Sequence, residues 1–167
     1  MNLLTKSSLV ILSLTFAAVF AEATPALGDR AVYNVKLSKG AHSITGKVTF
    51  ELTSYDKETD TWVQTSTTDF NGQKQTQTDK IASSDVLDDA TIDSVITNCA
   101  ARKGTLETVK TPAGDFPSCA VPISTNEAKG TAWVSKVPFG YSKWILNRAD
   151  GVIVDSLLES YVNGSTN

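Results

Sequence analysis

The chain has 167 residues, a hydrophobic fraction of 41% and a formal net charge of −3 at pH 7. This length suits one domain built around one hydrophobic core. Because phosphate binding requires concentrated Lys and Arg, a mildly negative chain without a basic cluster is not expected to bind nucleic acid or an anionic lipid surface.

The first 23 residues have the organisation of a cleavable secretory signal peptide. Lys6 precedes an uncharged run, residues 9–20, which is shorter than the about 20 apolar residues that span a bilayer as a helix. Ala-Glu-Ala follows at 21–23 and is typical of a signal peptidase site. We therefore predict that residues 1–23 are removed. Residues 24–167 would form a single mature domain in the periplasm, without a membrane span; an uncleaved anchor is the alternative.

Alternation of apolar and polar residues predicts antiparallel strands from residue 31 onward. The clearest run is HSITGKVTFELTSY, residues 42–55, where Ile44, Val48, Phe50 and Leu52 occupy even positions. A period of two places these side chains on one face of a strand. We expect that face to lie in the core and the opposite face to contact water.

A polar hairpin is predicted after this run. Asn71-Gly72 lies between two extended runs, and both residues tolerate the positive φ of a tight hairpin turn. Residues 73–80, which follow the turn, contain no apolar side chain. We expect them at the edge of the sheet or beyond the core, where polar side chains discourage edge-to-edge association.

The periodicity then changes, because apolar residues recur at steps of three and four. This spacing predicts an amphipathic helix over about 84–101, with Ile92 and Cys99 on its apolar face. Ser83 or Ser84 is a suitable N-cap for this helix. The prediction is therefore one main helix after four strands.

The two cysteines of the chain, Cys99 and Cys119, are predicted to form a disulfide. An even number of cysteines in an exported chain favours a bridge, and this one would connect the helix to the sheet. A catalytic thiol and a metal site are the alternatives. A Cys-x-x-Cys pattern is absent, and the single histidine, His42, is distant in sequence.

Further strands are predicted in the C-terminal part, separated by turns at Thr-Pro-Ala-Gly, Pro-Phe-Gly and Asp-Gly. The predicted strands lie at residues 105–110, 116–123, 131–137, 141–147 and 152–162. Together with the first four, they give about nine strands and one long helix, an α+β domain that is mainly β. The last residues, 163–167, are expected to fray.

Catalytic and metal-binding chemistry has little support. His42 is adjacent to Ser43, but neighbouring residues of a strand point to opposite faces and cannot pair locally. Residues 56–60 have the acidic spacing of a calcium loop, yet Thr61 and Thr67 stand where that loop needs Gly and Glu. We expect a protein that is not an enzyme and needs no metal or cofactor.

Aromatic residues concentrate around the Val-Pro-Phe-Gly corner at residues 137–140. Trp133, Phe139, Tyr141 and Trp144 fall on or beside this corner. Such a group can line the mouth of a site for an apolar ligand. The alternative is that these side chains fill the core at a corner of the sheet.

The order of these turn and strand motifs resembles that of bacterial envelope proteins related to the LolA/LolB lipoprotein-carrier superfamily. The resemblance rests on GTLETVKTPAGDFPSCAVP, on GTAWVSKVPFGYSKWILNRADGVIVDSLLESY and on the opening AVYNVKL and GKVTFEL. It implies a strongly curved antiparallel sheet, an open half-barrel, that wraps around a helix and leaves an apolar cavity. The best-known members hold lipoprotein acyl chains in that cavity.

The leading hypothesis is a periplasmic, non-enzymatic protein that binds an acyl chain, from a lipid or a lipoprotein, or another apolar group between sheet and helix. One alternative is an envelope assembly module whose sheet edge, or residues 73–80, engages another envelope protein. The other is an unrecognised hydrolase. An apolar cavity of about 300 Å³ or more favours the first hypothesis, and a filled core would contradict it.

Overall fold

The computed structural model describes residues 25–165. The predicted signal peptide, residues 1–23, lies outside the described residues, so its removal stays a prediction. Within the described range no helix is long and apolar enough to cross a membrane. The elements, in chain order, are β1 (Arg30–Lys39), β2 (His42–Asp56), β3 (Thr61–Phe70), β4 (Gln73–Ala82), α1 (Asp89–Thr97), β5 (Thr105–Thr111), β6 (Gly114–Ser124), β7 (Ala128–Ser135), β8 (Tyr141–Arg148) and β9 (Ile153–Val162).

The nine strands form one antiparallel sheet in the order β4-β3-β2-β1-β9-β8-β7-β6-β5. Every pair except β1–β9 is a hairpin between consecutive strands, and α1 lies in the connection from one edge, β4, to the other edge, β5. Three strands separate β5 from β9 in this order, yet the two are in contact. The sheet is therefore strongly curved and open, and the predicted α+β half-barrel is confirmed.

Strand β4 lies at one edge of this sheet, where its only strand partner among the described residues is β3. Most of its side chains are exposed. The sequence-based prediction for the polar run 73–80 is therefore confirmed. Charged and polar side chains at such an edge oppose uncontrolled pairing with another sheet.

Irregularities in strand pairing occur at three points in the sheet. The register shifts between Val32 and Tyr33 against β9, near Leu52 in β2, and between Trp133 and Val134 in β7. Bulges bend a strand and increase its local twist. They allow one face of a sheet of this length to close around a core.

The first of two buried clusters lies on the concave face, where Ala31, Tyr33 and Val35 of β1 alternate inward. Tyr33 pairs with Val48 of β2 on one side and with Leu158 of β9 on the other. Tyr33 and Leu158 are fully buried. The period of two seen in the sequence therefore identified the core face of these strands. Ile44, near the start of β2, is the exception, because its side chain is exposed.

The helix lies inside the predicted range but is shorter. Regular α-helix covers Asp89–Thr97, and 3₁₀ turns at Ser83–Asp85 and Ala100–Arg102 flank it. The N-cap is Asp88, whose carboxylate accepts a hydrogen bond from the Thr91 amide at 2.7 Å. The predicted N-caps, Ser83 and Ser84, do not cap the helix. The helix begins later than predicted because Val86 is extended (φ −92°, ψ 128°) and interrupts the helical run.

The predicted disulfide is present between Cys99 and Cys119, with Cα atoms 5.7 Å apart. It connects the C-terminal end of α1 to β6. Both sulfurs belong to the second buried cluster, with Ile92, Val95 and Val134. The helix is thereby held against β6 and β7, as the sequence predicted.

Within the described part of the tail, Gly164 and Ser165 are held by hydrogen bonds, so the expectation of fraying is wrong for these two residues. The buried carboxylate of Asp29 accepts the amides of Ala26 and Gly164, each at 2.7 Å. The Ser165 amide donates to the Leu27 carbonyl at 3.1 Å. The polar tail contained no signal for this anchoring, since Asp29 is distant from it in sequence.

Candidate functional site

A cavity of about 440 Å³ opens on the concave face of the sheet. Its walls come from seven strands, from the segment 85–87 that precedes α1, and from the corner between β7 and β8. The lining residues are Tyr33, Phe50, Gln64, Ile81, Asp85, Val86, Leu87, Ile123, Ala132, Phe139, Tyr141, Trp144 and Leu146. Nearly all of them are apolar or aromatic, and the volume lies in the range of small-molecule sites, about 300–1,000 Å³.

The segment 85–87, rather than α1 itself, covers this cavity. The buried side chains of α1, Ile92 and Val95, pack around the disulfide instead. Leu87 extends toward the sheet from the chain that leads into the helix. The resemblance implies a space between sheet and helix, whereas this cavity lies between the sheet and the residues just before α1.

Strand alternation explains how the floor of the cavity leaves room. Ala132 of β7 pairs with Trp144 of β8, and both face the cavity. Because Ala132 is small, it leaves space beside Trp144 that a large side chain at position 132 would fill. Leu146 lies two residues beyond Trp144 and thus points the same way.

A chain of aromatic rings forms one wall. The ring centroids are 4.5 Å apart for Tyr33 and Trp144 and 6.0 Å apart for Tyr33 and Phe50. Phe139 continues the chain at 5.7 Å from Phe50, and Tyr141 lies 6.4 Å from Trp144. Tilted and edge-on contacts at these separations are favourable beyond the area they bury.

The Val-Pro-Phe-Gly corner places one of these rings through an unusual backbone conformation. Phe139 has φ 64° and ψ 1°, in the left-handed region, where a bulky residue is a rare outlier. Gly140 follows with φ 75°, and a Cβ on it would meet Leu87 Cδ1 at 2.6 Å. Backbone strain of about 1–3 kcal/mol persists only where surrounding packing enforces it. Here that packing is the wall of the cavity.

Three of the four aromatic residues predicted to form a ligand mouth line this cavity: Phe139, Tyr141 and Trp144. Trp133 does not. Its indole Nε1 donates to Glu107, and the Lys143 ammonium lies 4.8 Å from its ring centroid.

The placement of Trp133 follows from strand alternation. Because it is the residue next to the inward-facing Ala132, it projects from the opposite face of β7. Tyr33, Phe50, Leu87, Ala132 and Leu146 were not predicted as site residues. Alternation in β1 and β2 could have identified the first two.

Two tyrosines of the wall have perturbed acidity. Burial raises the pKa of the Tyr33 hydroxyl well above its usual range, and it also raises the pKa of Tyr141. Desolvation acts this way because it penalises the charged phenolate. Both side chains are therefore neutral across the physiological range.

The polar residues first considered for chemistry lie elsewhere. His42 is exposed at the first position of β2, opposite Lys39. Asp56 accepts the amides of Glu58 and Thr59 and so closes the β2–β3 turn. Residues 25–165 contain no group of three or more His, Cys, Asp or Glu side chains that could hold a metal ion.

No family model matches the chain, and no curated protein matches it at a significant level. Several solved structures are similar in fold. One is a Bacteroides fragilis protein described as exported and as having a YmcC-like fold, at 12% identity and a TM-score of 0.44, covering 84% of this chain and 99% of the other. A Parabacteroides distasonis protein described as a lipoprotein has 10% identity and a TM-score of 0.43, covering 84% and 98%.

A third similar structure is MucB in complex with the periplasmic part of MucA. It has 9% identity and a TM-score of 0.45, and the match covers 87% of this chain but 53% of MucB. This chain thus spans about half the length of MucB. At such low identities and scores, these likenesses concern the fold and carry no argument about function.

Proposed function

We propose that this protein is a non-catalytic binding protein, exported to the periplasm, that holds an acyl chain or a comparable apolar group in the concave cavity. The observation that supports this proposal is the 440 Å³ cavity with its apolar and aromatic lining. A protein with a filled core would have no such space, since interiors are normally packed without sizeable voids.

The size of the cavity is compatible with useful affinity for an alkyl chain. Each buried methylene contributes about 0.8 kcal/mol, so about ten of them contribute roughly 8 kcal/mol. That value corresponds to a Kd on the order of 1 μM. The entropy lost when the chain is immobilised raises this Kd. We therefore expect binding of medium and long chains and weak binding of short ones.

Export is supported by the predicted signal peptide at residues 1–23 and by the disulfide. Structural disulfides persist mainly in oxidising compartments, and both cysteines of the chain are in the bridge. An apolar ligand would thus be cargo in the envelope.

Native mass spectrometry of protein purified from its own periplasm tests this proposal. We expect a mass shift that organic extraction removes and that the extract identifies as an acyl-chain compound. Delipidated protein should then bind dodecanol, measured by displacement of an environment-sensitive apolar dye. Absence of both the co-purified compound and the dye displacement would contradict the proposal.

A second candidate is an interaction role at the sheet edge, supported by the edge position of β4. In such recognition an extended segment of a partner adds a strand by main-chain hydrogen bonds. A photo-crosslinking residue at exposed Gln75 would then give one discrete adduct in cells, whereas one at exposed Gly151 would not. Equal labelling from both positions would contradict this candidate.

A further inference from the structure

We infer that the cavity selects its ligand by head-group charge and prefers an alkyl chain with a cationic amine over one with a carboxylate. This inference rests on the proposed function, because it concerns the same cavity. It starts from the polar residues among its walls. These are the Gln64 amide and the Asp85 carboxylate, and the lining includes no Lys, Arg or His.

A second carboxylate lies beside them. Asp79 of β4 pairs with Gln64 of β3, so both side chains share the concave face of the sheet. The Asp79 side chain is half-buried, and both of its oxygens accept from Gln77 Nε2, at 2.9 and 3.0 Å. Gln77 is neutral, so the negative charge of Asp79 stays uncompensated by that contact.

Two cations on neighbouring elements are engaged in other contacts. Arg148 follows Leu146 by two positions on β8 and so points toward the same face, but its guanidinium pairs with Asp150 at 2.9 Å. Lys136, after β7, pairs with Asp93 of α1 at 2.6 Å. The rim near Gln64 is therefore a source of negative potential.

The shape of the cavity determines where a head group must lie. The aromatic wall contains Tyr33, which is fully buried, whereas Asp85 is exposed. An alkyl chain placed among the rings would leave its polar end at the exposed side, near Asp85. A carboxylate there would meet like charge, while an ammonium would meet opposite charge and a hydrogen-bond acceptor.

The test compares dodecylammonium, dodecanol and dodecanoate, which share one chain length, below their micelle concentrations at pH 7.5. Competition with an apolar dye gives their Kd values. We expect the ammonium to bind at least tenfold more tightly than the carboxylate at low ionic strength, with dodecanol between them. Because exposed charges are screened by salt, the ratio should decrease at about 0.5 M NaCl.

Asp85→Asn tests the origin of the preference, and Asp155→Asn is its matched control. Asp155 lies on β9 opposite Lys36, on the outer face of the sheet and away from the cavity. Each of the two variants removes one negative charge. We expect the ratio to fall at least threefold in Asp85→Asn and to stay unchanged in Asp155→Asn. An equal fall in both would assign the preference to net charge and overturn the inference.

The outcomes separate the two claims. If none of the three compounds binds, the proposed function fails. If all three bind with similar Kd values, or the carboxylate binds most tightly, the apolar cavity is functional but the head-group inference is wrong.

Discussion

The hydroxyl of Tyr33 donates to the main-chain carbonyl of Tyr141 at 2.9 Å, and this hydrogen bond joins β1 to the start of β8 behind the aromatic wall. The Tyr33 ring also contacts Trp144 at 4.5 Å between centroids. Because Tyr141 directly follows the Val-Pro-Phe-Gly corner, the bond fixes the point where the chain enters β8 and the cavity floor.

Ionisation of Tyr33 should destabilise the fold at alkaline pH. Its pKa is raised in the folded state by burial, so this contribution to stability is complete below the unfolded pKa of about 10 and is lost as pH rises above it. We predict a lower urea midpoint at pH 11 than at pH 8. Tyr33→Phe should cost about 1 kcal/mol at pH 8 but show a smaller alkaline loss. An equal alkaline loss in both proteins would contradict this role.

Gly140→Ala should destabilise the protein more than Gly151→Ala. Both glycines have positive φ, 75° and 80°, but a Cβ at Gly140 would collide with Leu87 and one at Gly151 meets nothing within 4 Å. Strain alone predicts about 1 kcal/mol for each, and the collision adds about 1–3 kcal/mol at Gly140. Urea unfolding of both variants measures the difference. Equal losses would show that Leu87 moves aside freely.

Reduction of the disulfide should lower stability by about 3 kcal/mol, because the bridge closes a loop with a sequence separation of 20. Urea unfolding with and without a reductant measures this loss. When the unreduced periplasmic protein is treated with an alkylating reagent, its mass should show no alkylated thiol. Two alkylated cysteines in that material would contradict the bridge as a native feature.

Asp29→Ala should release the C-terminal segment. The variant leaves the buried amide of Ala26 and the partly buried amide of Gly164 without their acceptor, which predicts a loss of about 2–3 kcal/mol. Asp29→Asn keeps one carbonyl oxygen and should lose less. Hydrogen exchange at Gly164 and Ser165 should accelerate in Asp29→Ala, and unchanged exchange would show that other contacts hold the segment.

Local patterns in the sequence predicted most of the fold. Alternation of apolar residues identified the core face of β2, the change of period identified α1, and Cys99 on the apolar face pointed to the bridge with Cys119. These features depend on residues close in sequence or on the limited pairing of two cysteines. They can therefore be predicted from the sequence without a structure.

The site was predictable only in part, because it depends on distant residues. The four aromatic candidates were chosen by size and proximity, but alternation in β7 sends Trp133 outward while its small neighbour Ala132 faces the cavity. Leu87 reaches the site because Val86 is extended and delays the helix. Neither the contact of Leu87 with Gly140 nor the empty volume has a local sequence signature.

Filling the cavity tests the central claim most directly. Ala132→Leu adds three carbon atoms inside the cavity. Thr131→Leu is the control, because it places the same leucine side chain at the adjacent residue, on the other face of β7. Near-UV circular dichroism should first show that both variants keep their aromatic packing.

The measurement is the Kd of dodecanol, obtained by displacement of an apolar dye from each delipidated protein. We predict that Ala132→Leu weakens binding at least tenfold, while Thr131→Leu stays within twofold of the unmodified protein. Folded Ala132→Leu that binds dodecanol as tightly as Thr131→Leu would contradict the assignment of this cavity as the ligand site.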